Sequence, residues 1–477
     1  MKQPLTLYEF EVLAKKSQRV AVFTEILVKK LTPLSVYSLL QEFYDGEGVI
    51  FENLCPEIAS RHSFLCFNPI KLLKIKNDDP DNPLVMLRHF QSQLAYATRP
   101  DVANLITGSV GFITYDAIRH FEDISDRHPH DPSLPILYFN FYSIGLTFDH
   151  ERQTLLISTI VEVDHHHEQA YKNAQQTIAD ITQLLATAPA TNEKSTEYKV
   201  TTPHTEVDIS DSDFIALIKK AKDYIIRGDA FQIVLSRCFR RPYSVKPLEI
   251  YKILCQIHPA PFMFYFPTES GVIIGASPER LIRVHNKQIT VNPIAGTRKS
   301  KKGVTEAMIE TDLLNDKKEV AEHLMLVDLA RNDIGAVSDP GSVEVTELLK
   351  VKHYSHISHI TSTVTGQLQD KHDALDAFAA AFPAGTLSGA PKIRAMNIID
   401  ELETSCRGLY GGAICRFDLS GNFDSAIAIR MAILQDGIAT IRTGAGIVYD
   451  SNPDNEVQET YQKAQSMLDA IGQAQGE

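Results

Sequence analysis

Residues 412–450, "GAICRFDLSGNFDSAIAIRMAILQDGIATIRTGAGIVYD", hold three strand-like runs separated only by Ser-Gly-Asn and by Asp436-Gly437. Connections this short can join only antiparallel neighbours, because a parallel pair needs a crossover of a dozen residues or more. The stretch therefore commits the C-terminal part of the chain to antiparallel sheet. "LIRVHNKQITV" alternates about a polar His-Asn-Lys-Gln turn and reads as another hairpin. Helical patterns lie between these strands, in "DKKEVAEHLMLVDLARND" and "APKIRAMNIIDELE". Ser212 can cap a further helix, whose apolar face is Phe214, Ile218, Ala221 and Ile225. The fold class is α+β, antiparallel sheet flanked by helices.

With 477 residues the chain exceeds one hydrophobic core, so two lobes or one elaborated domain are expected. The clearest boundary is residues 184–207, "LLATAPATNEKSTEYKVTTPHTEV", where Ala, Thr, Pro and charge replace apolar periodicity. It separates an N-terminal unit, 1–190, from a second unit, 205–473.

Several function classes are disfavoured. A formal charge of −13 leaves no basic face for nucleic acid. No apolar run is long enough to span a membrane, and the first residues lack the apolar core of a signal peptide. The six cysteines show no CxxC pair or framework spacing and read as reduced thiols of a cytoplasmic protein. The triple histidine His165–His167 opens a helical pattern without a second ligand cluster and reads as a solvated helix start. Neither GxGxxG nor GxxxxGK[ST] occurs, so nucleotide binding has no support.

Carboxylates stand at helical spacing in two places. Glu319 and Glu322 are three apart, and in "EVQETYQK" Glu456, Glu459 and Lys463 fall within a narrow arc. One reading is solvated charge, Glu459 and Lys463 being a favourable i,i+4 pair. The other is an oxygen-only site of the kind that suits Mg²⁺, one glutamate coming from each helix. Spacing leaves both open. In "TGAGIV", Gly444 and Gly446 either let backbone N–H groups approach a carboxylate or simply bend a strand. "PAGTLSGAPKIRAM" places Ser388 and Lys392 at a helix start, where an anion site and a plain cap are both allowed. His356 and His359 interrupt a strand-like run, where histidine is more often a packed residue than a catalyst. In "VNPIAGTRKS" a Gly-Thr pair reads as backbone turned towards a ligand, preceded by the unreactive Ala295.

Taken in order, "GDAFQIVLSR", "ASPERL", "NPIAGTR", "AEHLMLVDLARND", "SHISHITSTVTG", "FPAGTLSGAPKIRAM", "RGLYGGA", "IAIRMAIL", "TGAGIV" and "EVQETYQKA" resemble the chorismate-utilising enzymes over residues 205–470. "LTPLSVYSLL", "GSVGFITYD" and "LPILYFNFYSIGLTFDH" resemble the N-terminal half of that family's aminating, component I type subunits. The resemblance implies two antiparallel sheets packed face to face as a sandwich, with substrate and Mg²⁺ between them. It also implies metal ligation by Glu322 and Glu459, supported by Glu319 and Glu456. Arg430, Gly444, Ala445, Gly446 and Lys463 would hold the substrate carboxylates beside Tyr410, with Gly296, Thr297 and Thr386 along the ring. Glu279 matches the acid that protonates the departing C4 hydroxyl, and His359 the histidine of pyruvate elimination.

Within the resemblance, the nucleophile is decided by two positions. Water-adding members carry a lysine base where this chain has Gln232, and many aminodeoxychorismate synthases carry a nucleophilic lysine where it has Ala295. The expected reaction is therefore direct attack of ammonia on chorismate, giving anthranilate and pyruvate; aminodeoxychorismate synthesis is the alternative. No Gly-x-Cys-x-Gly elbow is present, so a separate glutamine amidotransferase subunit is the expected ammonia source. Asn53, Pro261 and Met263 match a tryptophan inhibitor pocket, with Asn53 replacing the family's serine and His258-Pro259-Ala260-Pro261 replacing Asn-Pro-Ser-Pro.

Overall fold

Asn286 and Lys287 take φ of 50° and 64°, the left-handed pair that a two-residue connection between twisted strands requires. They join the strands Arg280–His285 and Gln288–Val291 in antiparallel register. Asp436 and Gly437, at 50° and 77°, do the same between Met431–Gln435 and Ile438–Ile447. The C-terminal region carries four strands where the pattern gave three runs. "FDSAIAIRMAIL" divides into Phe423–Ile427 and Met431–Gln435, and Arg430 stands at the break with φ 51°. Apolar residues continue across that break, so the alternation carried no mark of it.

This computed structural model describes residues 1–44, 48–54, 62–187, 205–299, 304–353 and 357–476. Among these residues, twenty strands join through antiparallel ladders into one hydrogen-bonded network, with helices packed against it. The network crosses the proposed boundary. Val49–Glu52 pairs with Phe262–Thr268, and Thr107–Ile113 pairs with Ala413–Asp418. Most of 184–207 lies outside the described residues, between the helix His167–Ala186 and the strand Glu206–Val207.

The helix Asp211–Ile226 is capped by Ser210 and not by Ser212; the Ser210 Oγ accepts from the Asp213 N–H at 3.2 Å. Asp211 and Asp213 then fall in the first turn, where negative charge meets the positive end of the helix. Two other helices matter for the site. Lys317–Gly335 is capped by Asp316, whose carboxylate accepts from the N–H groups of Lys318 and Glu319. Pro453–Ala474 begins with proline behind the cap Asn452. No described helix is long and apolar enough to cross a membrane. Cys66, Cys238, Cys255, Cys406 and Cys415 are free, and Cys55 lies outside the described residues.

Candidate active site

The strand Ile294–Lys299 contains an irregularity between Ala295 and Thr297, and Gly296 fills it with φ 65°. A side chain at Gly296 would be strained in that conformation and would lie 3.3 Å from the Glu319 carboxylate, Ile360 and Leu313. The bulge leaves the Gly296 carbonyl 3.0 Å from His359 Nδ1. A carbonyl can only accept, so Nδ1 carries the hydrogen and Nε2 the lone pair. Burial holds the imidazole below its ordinary pKa, and the Arg430 charge adds to this. His359 is thus neutral at pH 7 and suited to take up a proton. Thr297 pairs with His359 across the ladder. His356 lies outside the described residues.

The two carboxylate-bearing helices come near enough for their charges to interact. Burial raises the Glu322 carboxyl above the usual range, and the charges of Glu319 and of Glu459, from the other helix, raise it further. Glu456 is raised by burial and then by Glu459. Lys463 Nζ sits 2.7 Å from Glu459 Oε1 and donates to the Gly444 carbonyl at 2.9 Å. Arg430 donates to the Lys463 carbonyl at 3.4 Å and feels the Glu459 charge. Gln232, buried on the strand Gln232–Pro242, donates from Nε2 to Glu322 Oε1 at 3.3 Å. Hard oxygen donors whose neighbours' charges help hold Glu322 and Glu456 above the usual range fit a small divalent cation better than they fit one another.

The paired glycines have separate reasons. A Cβ at Gly446 would come within 2.7 Å of Gln232 Nε2, and one at Gly444 within 2.7 Å of the Tyr410 hydroxyl. Ala445 differs: its side chain lies on the opposite face of the strand, fully buried among Ile233, Leu235, Ile447 and Val457. Only its backbone lies beside those of the two glycines. Glu279 lines a cavity with Thr386, whose Oγ1 donates to Oε1 at 3.1 Å. Burial pushes the Glu279 carboxyl up to about 7, against the Thr386 hydrogen bond and the Lys463 charge. Charge interactions link these groups: Lys463 acts on Glu279 and pairs with Glu459, and Arg430 acts on His359 and feels Glu459.

The family description "chorismate binding enzyme" matches residues 50–469. The chain belongs to that family. It is 38% identical to anthranilate synthase component 1 of Acetivibrio thermocellus, over 98% of either chain. It is 40% identical to that of Lactococcus lactis, over 94% of this chain and 99% of the relative. The crystal structure of anthranilate synthase component I from Streptococcus pneumoniae matches with TM-score 0.75 at 36% identity, over 86% of this chain and 92% of that one. The menaquinone-specific isochorismate synthase of Escherichia coli shares the fold, with TM-score 0.71 at 17% identity, over 97% of this chain and 98% of that one.

This chorismate binding enzyme has a second cavity, lined by Glu52, Asn53, Pro261, Met263, Arg416 and Asp424 among others. Burial pushes Glu52 up to about 7, and its Oε2 is buried without a hydrogen-bond partner among the described residues. The Lys392 ammonium that spacing offered to an anion donates instead to Asp333, at 2.8 Å. Ser388 is fully buried and donates to the Ala384 carbonyl at 3.0 Å, while the helix Lys392–Leu402 starts behind Pro391 with no side-chain cap, so Ser388 is neither an anion site nor the cap of that helix.

Sequence reasoning missed the buried support behind these groups. Glu403 accepts from Ser236, Arg407 and Arg442. Arg407 donates onward to the carbonyls of Leu387 and Val234, tying the Thr386 loop to the Gln232 strand. Ser236 and Glu403 are 167 residues apart, and no local signal joins them. Asp116, His130 and Cys406 also come within 4.8 Å, but both Asp116 oxygens are already taken, by Arg119 at 2.6 Å and the Gly408 N–H at 2.7 Å.

Proposed function

We propose that this protein is the aminating subunit of an anthranilate synthase, a lyase that converts chorismate and ammonia to anthranilate and pyruvate. The observation that carries the reading is Gln232. A neutral amide, packed against Glu322, stands where the water-adding relatives need a basic amine. Its Oε1 is buried with no partner among the described residues, an acceptor suited to an N–H nucleophile. Ala295 supplies no competing nucleophile.

In this mechanism ammonia attacks C2 of the ring, the double bonds shift, and the C4 hydroxyl leaves as water with the Glu279 proton. The new ammonium loses a proton; His359 Nε2 then takes the C2 proton, the C3–O bond breaks to release enolpyruvate, which becomes pyruvate on gaining a proton at its methylene carbon, and the ring becomes aromatic. Thr386 orients Glu279; Arg430, Lys463 and the backbone at Gly444, Ala445 and Gly446 hold carboxylate; Tyr410, Gly296 and Thr297 flank the ring. Glu322 and Glu459 would hold Mg²⁺, with Glu319 and Glu456 behind them. When bound, the cation neutralises a substrate carboxylate and orients the ring. Incubation with chorismate, Mg²⁺ and an ammonium salt is expected to give anthranilate fluorescence and equimolar pyruvate. An amino-chorismate accumulating without pyruvate would refute the assignment in favour of aminodeoxychorismate synthesis.

The same reading includes a glutamine amidotransferase subunit as the physiological ammonia source and a cytoplasmic location. It takes the strand network as folded over into two facing antiparallel layers, and the chain as a regulatory unit, 1–190, and a catalytic unit, 205–473. The Glu52 cavity is its tryptophan site. An aromatic amino acid would place its ammonium on Glu52, its carboxylate towards Arg416 and its ring among Asn53, Pro261 and Met263. Glu52 is ionised only above about 7, so tryptophan inhibition should strengthen as pH rises from 6 to 8. Glu52→Gln should raise the half-inhibitory tryptophan concentration about tenfold or more, the worth of a charge-assisted hydrogen bond. Equal inhibition of both proteins at pH 8 would remove Glu52 from the site.

A further inference from the structure

Arg298, the first of the basic residues after Gly296-Thr297, has no part in the scheme above, yet its guanidinium is fully committed. Nε donates to Asp312 Oδ2 at 2.7 Å, Nη2 to Asp316 Oδ2 at 2.7 Å and Nη1 to Glu319 Oε1 at 3.2 Å. These carboxylates belong to three places: the helix Glu306–Asn315, the cap of the Glu322 helix, and the first turn of that helix. The arms are unequal. Asp312 is 64% exposed, whereas the Asp316 and Glu319 side chains are 33% and 26% exposed. Solvent weakens the first arm, so the binding strength lies in the other two.

The two stronger arms hold one object, the start of the Glu322 helix. While one Asp316 oxygen bonds to Arg298, the other accepts from the N–H groups of Lys318 and Glu319. Glu319 accepts from Arg298 through Oε1, and its Oε2 stands where a Cβ at Gly296 of the same strand would meet it at 3.3 Å. Glu322 follows one turn later. Arg298 thus fixes the helix that carries the metal-facing glutamates to the strand whose bulge meets His359 and the ring. It also supplies a counter-charge to Glu319, which would otherwise face Glu322 as a bare anion.

We propose that Arg298 is a positioning residue that sets the Mg²⁺ site and couples it to the ring-binding strand. This rests on the reading of Glu322 and Glu459 as cation ligands. Lysine cannot replace it, since a point charge holds one carboxylate where the planar fork holds three. Loss of a partner behind metal ligands typically costs 10–100-fold in metal affinity.

The test is calorimetric titration of the full-length protein with Mg²⁺, without substrate, for wild type, Arg298→Gln, Arg298→Lys and Asp312→Asn. Arg298→Gln is expected to weaken Mg²⁺ binding about tenfold or more, Arg298→Lys by an intermediate factor, and Asp312→Asn by less than about twofold. Glu319→Gln should reproduce the Arg298→Gln loss, and the double variant should lose little more, because the two act as one unit. Should Arg298→Gln not fold, Arg298→Lys with Glu319→Gln completes the same cycle. Wild-type Mg²⁺ affinity in Arg298→Gln, additive losses in the cycle, or a lowered Tm with unchanged Mg²⁺ affinity would each overturn the proposal. A wild type that binds no Mg²⁺ would instead refute the functional reading beneath it.

Discussion

Glu279→Gln is expected to lower kcat by about 10³-fold while chorismate still binds, the scale of a removed general acid. Hydroxide is a poor leaving group, so the C4 oxygen must receive a proton as its bond breaks, and glutamine has none to give at the required acidity. The site is built to keep that proton. Burial lifts the carboxyl to about 7, while Thr386 and Lys463 restrain the rise. The sign follows directly: the active form is the protonated one, so kcat/KM should fall as pH rises through about 7 in the free enzyme. Thr386→Val removes a hydrogen bond that favours the ionised carboxylate, so that limb should move to higher pH. Turnover of Glu279→Gln within about threefold of wild type would remove Glu279 from the acid role, far outside the range expected of such a group. So would an unchanged alkaline limb in Thr386→Val with Glu279 intact.

Much of this architecture is written locally. The Asn286-Lys287 and Asp436-Gly437 connections are two residues long, and a two-residue connection has one strand geometry available to it. Glu319 with Glu322, and Glu456 with Glu459, are legible as shared faces because the helical period fixes them. The same kind of rule sends the Ala445 side chain to the face opposite that of Gly444 and Gly446 and leaves only its backbone beside theirs. A strand alternates, so the middle residue of Gly-Ala-Gly must turn away, and it does. Local signals fail where several neighbours offer the same chemistry. Ser210, Asp211 and Ser212 can each cap a helix, and the structure uses the first. They fail also where the pattern runs on unbroken, as at Arg430, whose left-handed φ divides one apolar run into two strands. What sequence could not give is the long-range wiring. Arg298 reaches Glu319, 21 residues on, only because a strand and a helix pack side by side, and Glu403 gathers Ser236 and Arg442 from two strands onto the carboxylate that Arg407 also holds. A buried carboxyl such as Glu52 is likewise invisible until its surroundings are known, because its meaning is the absence of water.

Glu322→Gln should raise the Mg²⁺ concentration needed for half-maximal turnover by about 10²-fold or more, and chelation should abolish turnover of the wild type. A bound divalent cation contributes several kcal/mol to stabilising developing charge, and each 1.4 kcal/mol is about tenfold in rate. A thermodynamic signature separates this from general damage. Without a cation, Glu322 is an energetic liability, because burial and the charges of Glu319 and Glu459 all oppose its ionisation. Replacing it with a neutral amide of the same shape removes that repulsion, so the metal-free variant should melt at or above the wild-type Tm. Adding Mg²⁺ should reverse the order. A ligand at one hundred times its Kd stabilises the folded state by about 2.7 kcal/mol, which the wild type gains and the variant does not. The raised Glu322 pKa adds a direction: protonation competes with the cation at a higher pH than for an ordinary glutamate, so Mg²⁺ activation should weaken earlier on acidification. Crossing melting curves require Glu322 to be both destabilising when bare and necessary for the cation. Equal Mg²⁺-induced shifts in the two proteins would place the cation elsewhere, and with it the carboxylate it was meant to hold.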